Sequence, residues 1–133
     1  MPAVPSPVAP HWLKTSKALR AGLPFREVHQ LQTILGISLH QVAEYLNIAE
    51  RTLMLRKKTG RLNATESDRL YRLRELVQQS MFLMDNNRAA VEAWWMQPCR
   101  GLGGRVPWEE AKTEAGARAI ERLMGQLIHG VFP

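Results

Sequence analysis

The sequence contains a single cysteine, Cys99, so its 133 residues cannot form a disulfide bond within the chain. That scarcity is expected of a protein in the reducing cytoplasm. No apolar run approaches the roughly 18 residues that a membrane-spanning helix needs, so no membrane association is predicted. Residues 1–22 begin with a proline-rich stretch and carry no apolar block of the secretory type, which predicts a disordered arm and not a signal peptide.

Groupings of side chains that carry enzymatic chemistry are also missing. The four histidines lie in unrelated segments, and none has a metal-ligand spacing from Cys99. The glycines of residues 101–104 follow a helical pattern and not a strand, so they predict a turn and not a phosphate-binding loop. Glu109 and Glu110 are adjacent and would point apart on a helix. The sequence therefore predicts a non-enzyme that holds neither metal nor cofactor.

Acidic residues are scarce in the first half of the chain. Residues 1–62 contain nine lysines and arginines, three glutamates and no aspartate, whereas residues 63–133 contain nine basic and nine acidic residues. The whole net charge of +6 is therefore located in the first half. This distribution is typical of a chain in which one half meets a polyanion, although a solvated basic face would have the same composition.

What the sequence does contain is helical periodicity, which predicts an all-α fold. Apolar residues recur at spacings of three and four, and glycine, proline or Asp-Asn-Asn separates the segments. Ser38 and Asn63 are predicted N-caps, and Glu66 would complete a capping box with Asn63. No stretch alternates long enough to predict a strand. The predicted helices cover about residues 25–35, 39–46, 48–59, 64–84, 89–97, 108–111 and 113–129.

Residues 38–59 have the organisation of a helix-turn-helix. Two short helical segments are joined through Asn47, a residue type that tolerates the left-handed conformation of such a turn. Ala43 is the small residue where the two helices approach, and Ile48 and Leu53 supply the apolar plug. Helical domains that bind no DNA also contain such corners, so the residues alone leave both interpretations open.

In a DNA-binding helix-turn-helix, the second helix enters the major groove. Its first residues, Glu50, Arg51 and Thr52, are then predicted to face base edges. Contacts to phosphates are predicted from basic residues farther along the chain and from polar residues at the start of the preceding helix. These predicted phosphate-binding residues are Ser38, Gln41, Arg56, Lys57, Lys58 and Arg61.

The chain ends on an apolar tail, Val131-Phe132-Pro133. The tail follows a helix that Thr113 is predicted to cap and Gly130 to end. Termini are usually polar and frayed, so an apolar tail needs a cover, either the core of this chain or a partner. The same helix carries an apolar stripe formed by Ile120, Leu123, Met124, Leu127 and Ile128.

A series of motifs follows the helix-turn-helix: GRLN at 60–63, ESDRL at 66–70, LGGR at 102–105, TEAGAR at 113–118 and HGVF at 129–132. Over about residues 24–133 this order resembles the Xre-type antitoxins of the ParS/Xre/MbcA family, the partners of RES-domain toxins. The sequence departs from the family pattern at residues 63–65, where a Ser-Pro-Glu start is commoner, and at Asn47, which replaces the turn glycine.

The resemblance implies an antitoxin with two partners, a RES-domain toxin that degrades NAD and the operator DNA of its own operon. Antitoxins of this kind neutralise the toxin by covering its active site with their C-terminal region. Carried onto this sequence, the residues implied in toxin binding are Arg118, Arg122, Ile128, His129, Gly130, Val131 and Phe132.

We therefore predict an N-terminal Xre/Cro-like helix-turn-helix domain at residues 23–62 and a small helical toxin-binding domain at residues 63–133. Because palindromic half-sites favour a two-fold protein, a homodimer within a larger toxin–antitoxin complex is expected. The alternative is a stand-alone helix-turn-helix transcription regulator whose C-terminal domain only dimerises or senses a ligand.

Overall fold

A computed structural model describes residues 10–130 and confirms that this part of the chain is all-α. Residues 1–9 and 131–133, which include the predicted toxin contacts Val131 and Phe132, lie outside the described range. Within it, strand-like pairing is limited to two isolated bridges, Pro24 with Arg61 and Cys99 with Arg105. The helices are α1 (His11–Ala21), α2 (Arg26–Leu35), α3 (Leu39–Leu46), α4 (Glu50–Thr59), α5 (Ala64–Leu83), α6 (Arg88–Met96), α7 (Pro107–Glu110) and α8 (Glu114–Ile128), with a 3-10 turn at Arg100–Leu102.

The helix starts follow the predicted capping residues. Ser38 and Gln41 form a capping box at α3, and Asn63 and Glu66 form another at α5. Each box satisfies backbone N–H groups that the first helical turn would otherwise leave unpaired. The Thr113 hydroxyl accepts a hydrogen bond from the Gly116 N–H and so caps α8. The predicted starts of these three helices are therefore confirmed.

The prediction of a disordered arm over residues 1–22 is wrong for residues 11–21, which form α1. This helix packs on α5 through half-buried Leu19, and none of its residues is fully buried. The weak apolar face explains why periodicity did not reveal it. Arg61 donates a 2.8 Å hydrogen bond from Nη1 to the Gly22 carbonyl and so ties the end of α1 to the segment after α4.

A single apolar core runs through the described residues, and α5 is its central helix. Leu70, Leu73, Leu76 and Val77 of α5 are almost fully buried. They belong to one cluster with buried residues from α2, α3, α4, α6 and α8: Val28, Leu31, Leu35, Val42, Leu46, Leu53, Val91, Trp95, Ile120 and Met124. None of the described helices is long and apolar enough to cross a membrane.

A buried side-chain hydrogen bond fastens α6 to α5 within this core. The Trp95 indole is fully buried and donates a 2.9 Å hydrogen bond to the Ser80 hydroxyl, which itself donates to the Val77 carbonyl at 2.6 Å. A buried indole stabilises the core because it removes a large apolar area from water while its N–H keeps a hydrogen-bond partner. Trp95 is therefore a core residue, while neighbouring Trp94 is half-buried and meets it edge-to-face at 5.3 Å.

The helix-turn-helix packs directly on α7. The Tyr45 ring lies 5.6 Å from the Trp108 ring, and both side chains are buried. Arg69 of α5 donates from Nη2 to the carbonyl of Tyr45 at 2.8 Å and to the carbonyl of Lys112 at 3.4 Å. One guanidinium group thus joins the backbone of α3, before the helix-turn-helix corner, to the segment that leads into α8.

Candidate DNA-binding and toxin-binding surfaces

The corner between α3 and α4 has the predicted helix-turn-helix geometry. Asn47 adopts a left-handed conformation with φ of 57°, and the Ile48 N–H donates to the Ala43 carbonyl at 3.1 Å. Ala43 and Leu53 are buried, so the inner face of the corner is closed on the core. The outer face of α4 is left to solvent.

Three basic residues of α4 lie on its exposed side: Arg51, Lys57 and Lys58. Among the described residues, no acidic group lies within ion-pair distance of any of them. Two exposed apolar residues, Met54 and Leu55, share this surface. The sequence did not single out these two, because an apolar residue in an amphipathic helix resembles a core residue.

Arg56 is placed differently from its basic neighbours. Its Nε lies 2.8 Å from Glu66 Oε1, and its Nη2 lies 3.3 Å from Glu66 Oε2. The hydrogen bond with Glu66 raises the pKa of Arg56 further, so the guanidinium stays charged. A group held this way by a buried carboxylate joins α4 to the start of α5, and its charge is neutralised within the chain.

Most of the other predicted DNA contacts are also hydrogen-bonded or partly buried within the chain. Ser38 and Gln41 hydrogen-bond each other in the α3 capping box. Arg61 holds the Gly22 carbonyl, and Thr52 is half-buried. Glu50 lies at the exposed start of α4, where its Oε2 is 3.2 Å from His40 Nδ1. The structure therefore leaves Arg51, Lys57 and Lys58 as the most accessible predicted contacts.

The second surface lies along α8. Arg118 is exposed and pairs with Glu114 at 3.2 Å, while Arg72 of α5 pairs with Glu114 at 3.1 Å and with Glu121 at 3.4 Å. Arg122 is exposed beside them. On the opposite side of Arg122, a groove of about 430 Å³ runs between α8 and the turn before α7. Its lining is Gly101, Leu102, Arg105, Glu110, Gly116, Ala119, Arg122, Leu123 and Gln126.

The apolar stripe predicted on α8 divides into two parts. Ile120 and Met124 are fully buried, whereas Leu127 is 40% exposed and Ile128 is half-buried. The last turn of α8 therefore presents apolar surface that the described chain does not cover. His129 and Gly130 follow it on the surface, and the remaining predicted toxin contacts, Val131 and Phe132, lie outside the described residues.

Two family models match consecutive parts of the chain. The antitoxin Xre-like helix-turn-helix domain covers residues 15–75, and the antitoxin Xre/MbcA/ParS C-terminal toxin-binding domain covers residues 79–130. The chain belongs to the Xre/MbcA/ParS family of antitoxins. The two matches meet within α5, whereas the sequence-based boundary was placed between residues 62 and 63.

Curated relatives of this antitoxin carry the same description. An antitoxin Xre of Yersinia enterocolitica is 27% identical over 116 residues, which cover 86% of this chain and 78% of that protein. An antitoxin Xre of Photorhabdus laumondii is 27% identical over 128 residues, covering 96% of this chain and 84% of the relative. The protein is thus a type II antitoxin with a helix-turn-helix domain and a toxin-binding domain, and it is not an enzyme.

One residue of this antitoxin that sequence analysis missed is Lys112. Its Nζ lies 2.9 Å from Glu109 and 3.5 Å from Glu44 of α3. Burial lowers the pKa of Lys112, but the two carboxylates outweigh that effect and raise it above its ordinary value. The ammonium group thus remains charged between the toxin-binding region and the helix-turn-helix. Lys112 and Glu44 lie 68 positions apart in the sequence, and helical periodicity cannot predict a pair at that separation.

Proposed function

We propose that this antitoxin neutralises a RES-domain toxin that degrades NAD, and that it represses its own operon by binding operator DNA as a homodimer. The toxin class rests on the resemblance of the motif series from residue 60 to residue 132. The observation that carries the neutralising role is the apolar end of α8, where Leu127 is exposed and leads into the tail. An apolar helix end followed by Phe132 is suited to fill a partner's pocket.

On the toxin side, the proposed mechanism is steric. The end of α8 and the tail would cover the entrance of the toxin's active site, with Phe132 as the apolar anchor. Arg118 and Arg122 would meet acidic groups at the rim, where charge sets orientation more than affinity. No chemistry is required of the antitoxin, in keeping with its family.

On the DNA side, the helix-turn-helix would place α4 in the major groove. The concentration of the +6 net charge in residues 1–62 supports this role, since phosphate contacts dominate non-specific affinity. A homodimer would match an inverted repeat with half-sites one helical turn apart. Arg51 would contact bases, and Lys57 and Lys58 would contact phosphates.

Co-expression with the product of the adjacent gene tests the neutralising role. We expect that product alone to arrest growth and lower cellular NAD, and the antitoxin to restore both and to co-purify with it. Removing residues 130–133 should abolish rescue while leaving retention on DNA unchanged. A matched control lacks residues 2–5 at the other end and should rescue fully.

Each failure has a separate meaning. Full rescue by the variant without residues 130–133 would refute the occlusion by the tail. Growth arrest at normal NAD would refute the NAD-degrading class while leaving the antitoxin role intact. An unchanged signal from a reporter fused to the upstream region, with and without the antitoxin, would refute autorepression.

A further inference from the structure

Leu55 is an apolar side chain exposed between two cations on the outer face of α4. It is 52% exposed, and Arg51 and Lys58, four residues before it and three after it, are exposed as well. Residues at these spacings lie on one side of a helix, because an α-helix has 3.6 residues per turn. Arg51, Leu55 and Lys58 thus form a stripe, which we call the outer stripe.

Among residues 10–130, no internal packing accounts for an apolar residue at this position. The side of α4 that faces the core is formed by fully buried Leu53 with half-buried Thr52 and Arg56, and Arg56 is held by Glu66. Met54, 46% exposed, borders the outer stripe. Helix α4 therefore packs on the core through one side. On its other side, it presents exposed Leu55 between the positive charges of Arg51 and Lys58.

We propose that Leu55 reads thymine in the operator by packing against the 5-methyl group in the major groove. This inference rests on the DNA-binding role proposed above and names the base that one residue recognises. The thymine methyl is the apolar feature that distinguishes base pairs in the major groove, and apolar side chains recognise it. Arg51 and Lys58 on either side would hold the helix against guanine edges or phosphates, so that Leu55 is desolvated against the base.

Charge argues against a second copy of the chain as the occupant of this surface. A two-fold contact through Leu55 would bring Arg51 and Lys58 of one copy close to those of the other, which is repulsive. The one acidic residue of α4, Glu50, already faces His40 on α3 at 3.2 Å. A polyanion, in contrast, is attracted by both flanking cations.

The test uses the full-length antitoxin and a DNA duplex selected from a random library by the antitoxin itself. Each thymine of the selected half-site is replaced in turn by deoxyuridine, which lacks only the methyl group. We expect one replacement per half-site to weaken wild-type binding by about three- to tenfold, the effect of losing one buried methyl contact. The Leu55→Ala variant should bind the thymine duplex more weakly and should show no further loss at that uracil.

Phe82→Ala provides the matched control, because Phe82 is 72% exposed at the far end of α5. It should retain the full uracil effect. Equal uracil effects in wild type and Leu55→Ala, or no effect at any thymine, would overturn the assignment. Conversion of a wild-type dimer to monomer by Leu55→Ala without DNA, measured by light scattering, would assign the surface to a second copy. Failure to enrich any duplex would instead refute the DNA-binding role itself.

Discussion

Arg56 and Glu66 form a two-point ion pair that connects α4, the second helix of the helix-turn-helix, to the first turn of α5. Glu66 is almost completely buried, and the same carboxylate accepts the Asn63 N–H at 3.0 Å in the capping box. The pair therefore connects the orientation of α4 to the start of the central helix. Arg56 thus supports α4 from its core-facing side.

Removing the Arg56 side chain should therefore destabilise the protein by more than the loss of one exposed positive charge would. Arg56→Ala leaves a buried carboxylate without its partner, and we expect the free energy of unfolding to fall by about 2 kcal/mol. Urea denaturation measures this value. Lys57→Ala, which removes the same charge from the exposed neighbour, should change stability by less than about 0.5 kcal/mol. Equal effects of the two substitutions would contradict the pairing.

The exposed cations of α4 should control the salt dependence of DNA binding. Lys57→Ala and Lys58→Ala are each expected to reduce the slope of log K against log salt by about 1, because each side chain is proposed to meet a phosphate. Fluorescence anisotropy over a salt series gives the slope. Arg118→Ala on α8 is the charge-matched control and should leave the slope unchanged. A lower affinity with an unchanged slope would indicate that the residue does not neutralise a phosphate.

Two glycines of α8 should respond in opposite directions to alanine. A Cβ at Gly116 would overlap the backbone carbonyl of Glu110, where α7 meets α8, so Gly116→Ala should cost at least about 2 kcal/mol of stability. A Cβ at Gly125 meets open space, and Gly125→Ala should stabilise by up to about 1 kcal/mol through helix propensity. Thermal unfolding of both variants tests the pair. A Gly116→Ala variant as stable as wild type would contradict this close approach.

Stability should decrease at alkaline pH in part through Tyr45. Burial raises the pKa of Tyr45 from 10.0 to about 12, and the nearby Arg69 guanidinium opposes this only in part. The folded pKa lies above the unfolded one, so this contribution is complete below pH 10 and is lost as pH rises from 10 to 12. The loss should reach on the order of 2 kcal/mol.

Tyr45→Phe tests this dependence, because Tyr71 is the other tyrosine in the sequence. Absorbance at the tyrosinate band should show an ionisation near pH 12 in the wild type that is missing from the variant. The wild type should also lose stability more steeply than the variant above pH 10. Identical pH profiles for the two proteins would show that Tyr45 ionises as readily folded as unfolded.

Local signals predicted much of this fold because they act within a few residues. Ser38 and Asn63 cap their helices through residues three positions on, and Asn47 supplies the left-handed turn at its own position. Helix α1 was missed because its packing leaves every residue at least partly exposed. The pairing of Arg56 with Glu66 was missed because it joins two helices across a turn. The position of α7 on α3 depends on Tyr45 and Trp108, 63 residues apart in sequence.

Helical periodicity also could not predict which residues of α4 face solvent. The basic residues of this helix were all predicted to meet DNA, but only the three-dimensional packing separates Arg56 from Arg51, Lys57 and Lys58. Leu55 resembles a core residue in the sequence and is exposed in the structure. Which residues of an amphipathic helix turn outward depends on its neighbours, and those neighbours come from distant segments.

The boundary between the two family domains falls inside α5, and this has a consequence for chimaeras between relatives. Exchanging toxin specificity by joining the first half of one antitoxin to the second half of another would cut a continuous helix. The hybrid would need compatible side chains on both sides of the cut, including Arg69 beneath α7 and Ser80 beneath Trp95. The helix-turn-helix domain and the toxin-binding domain are therefore exchangeable between relatives only where the exchange preserves the whole of α5.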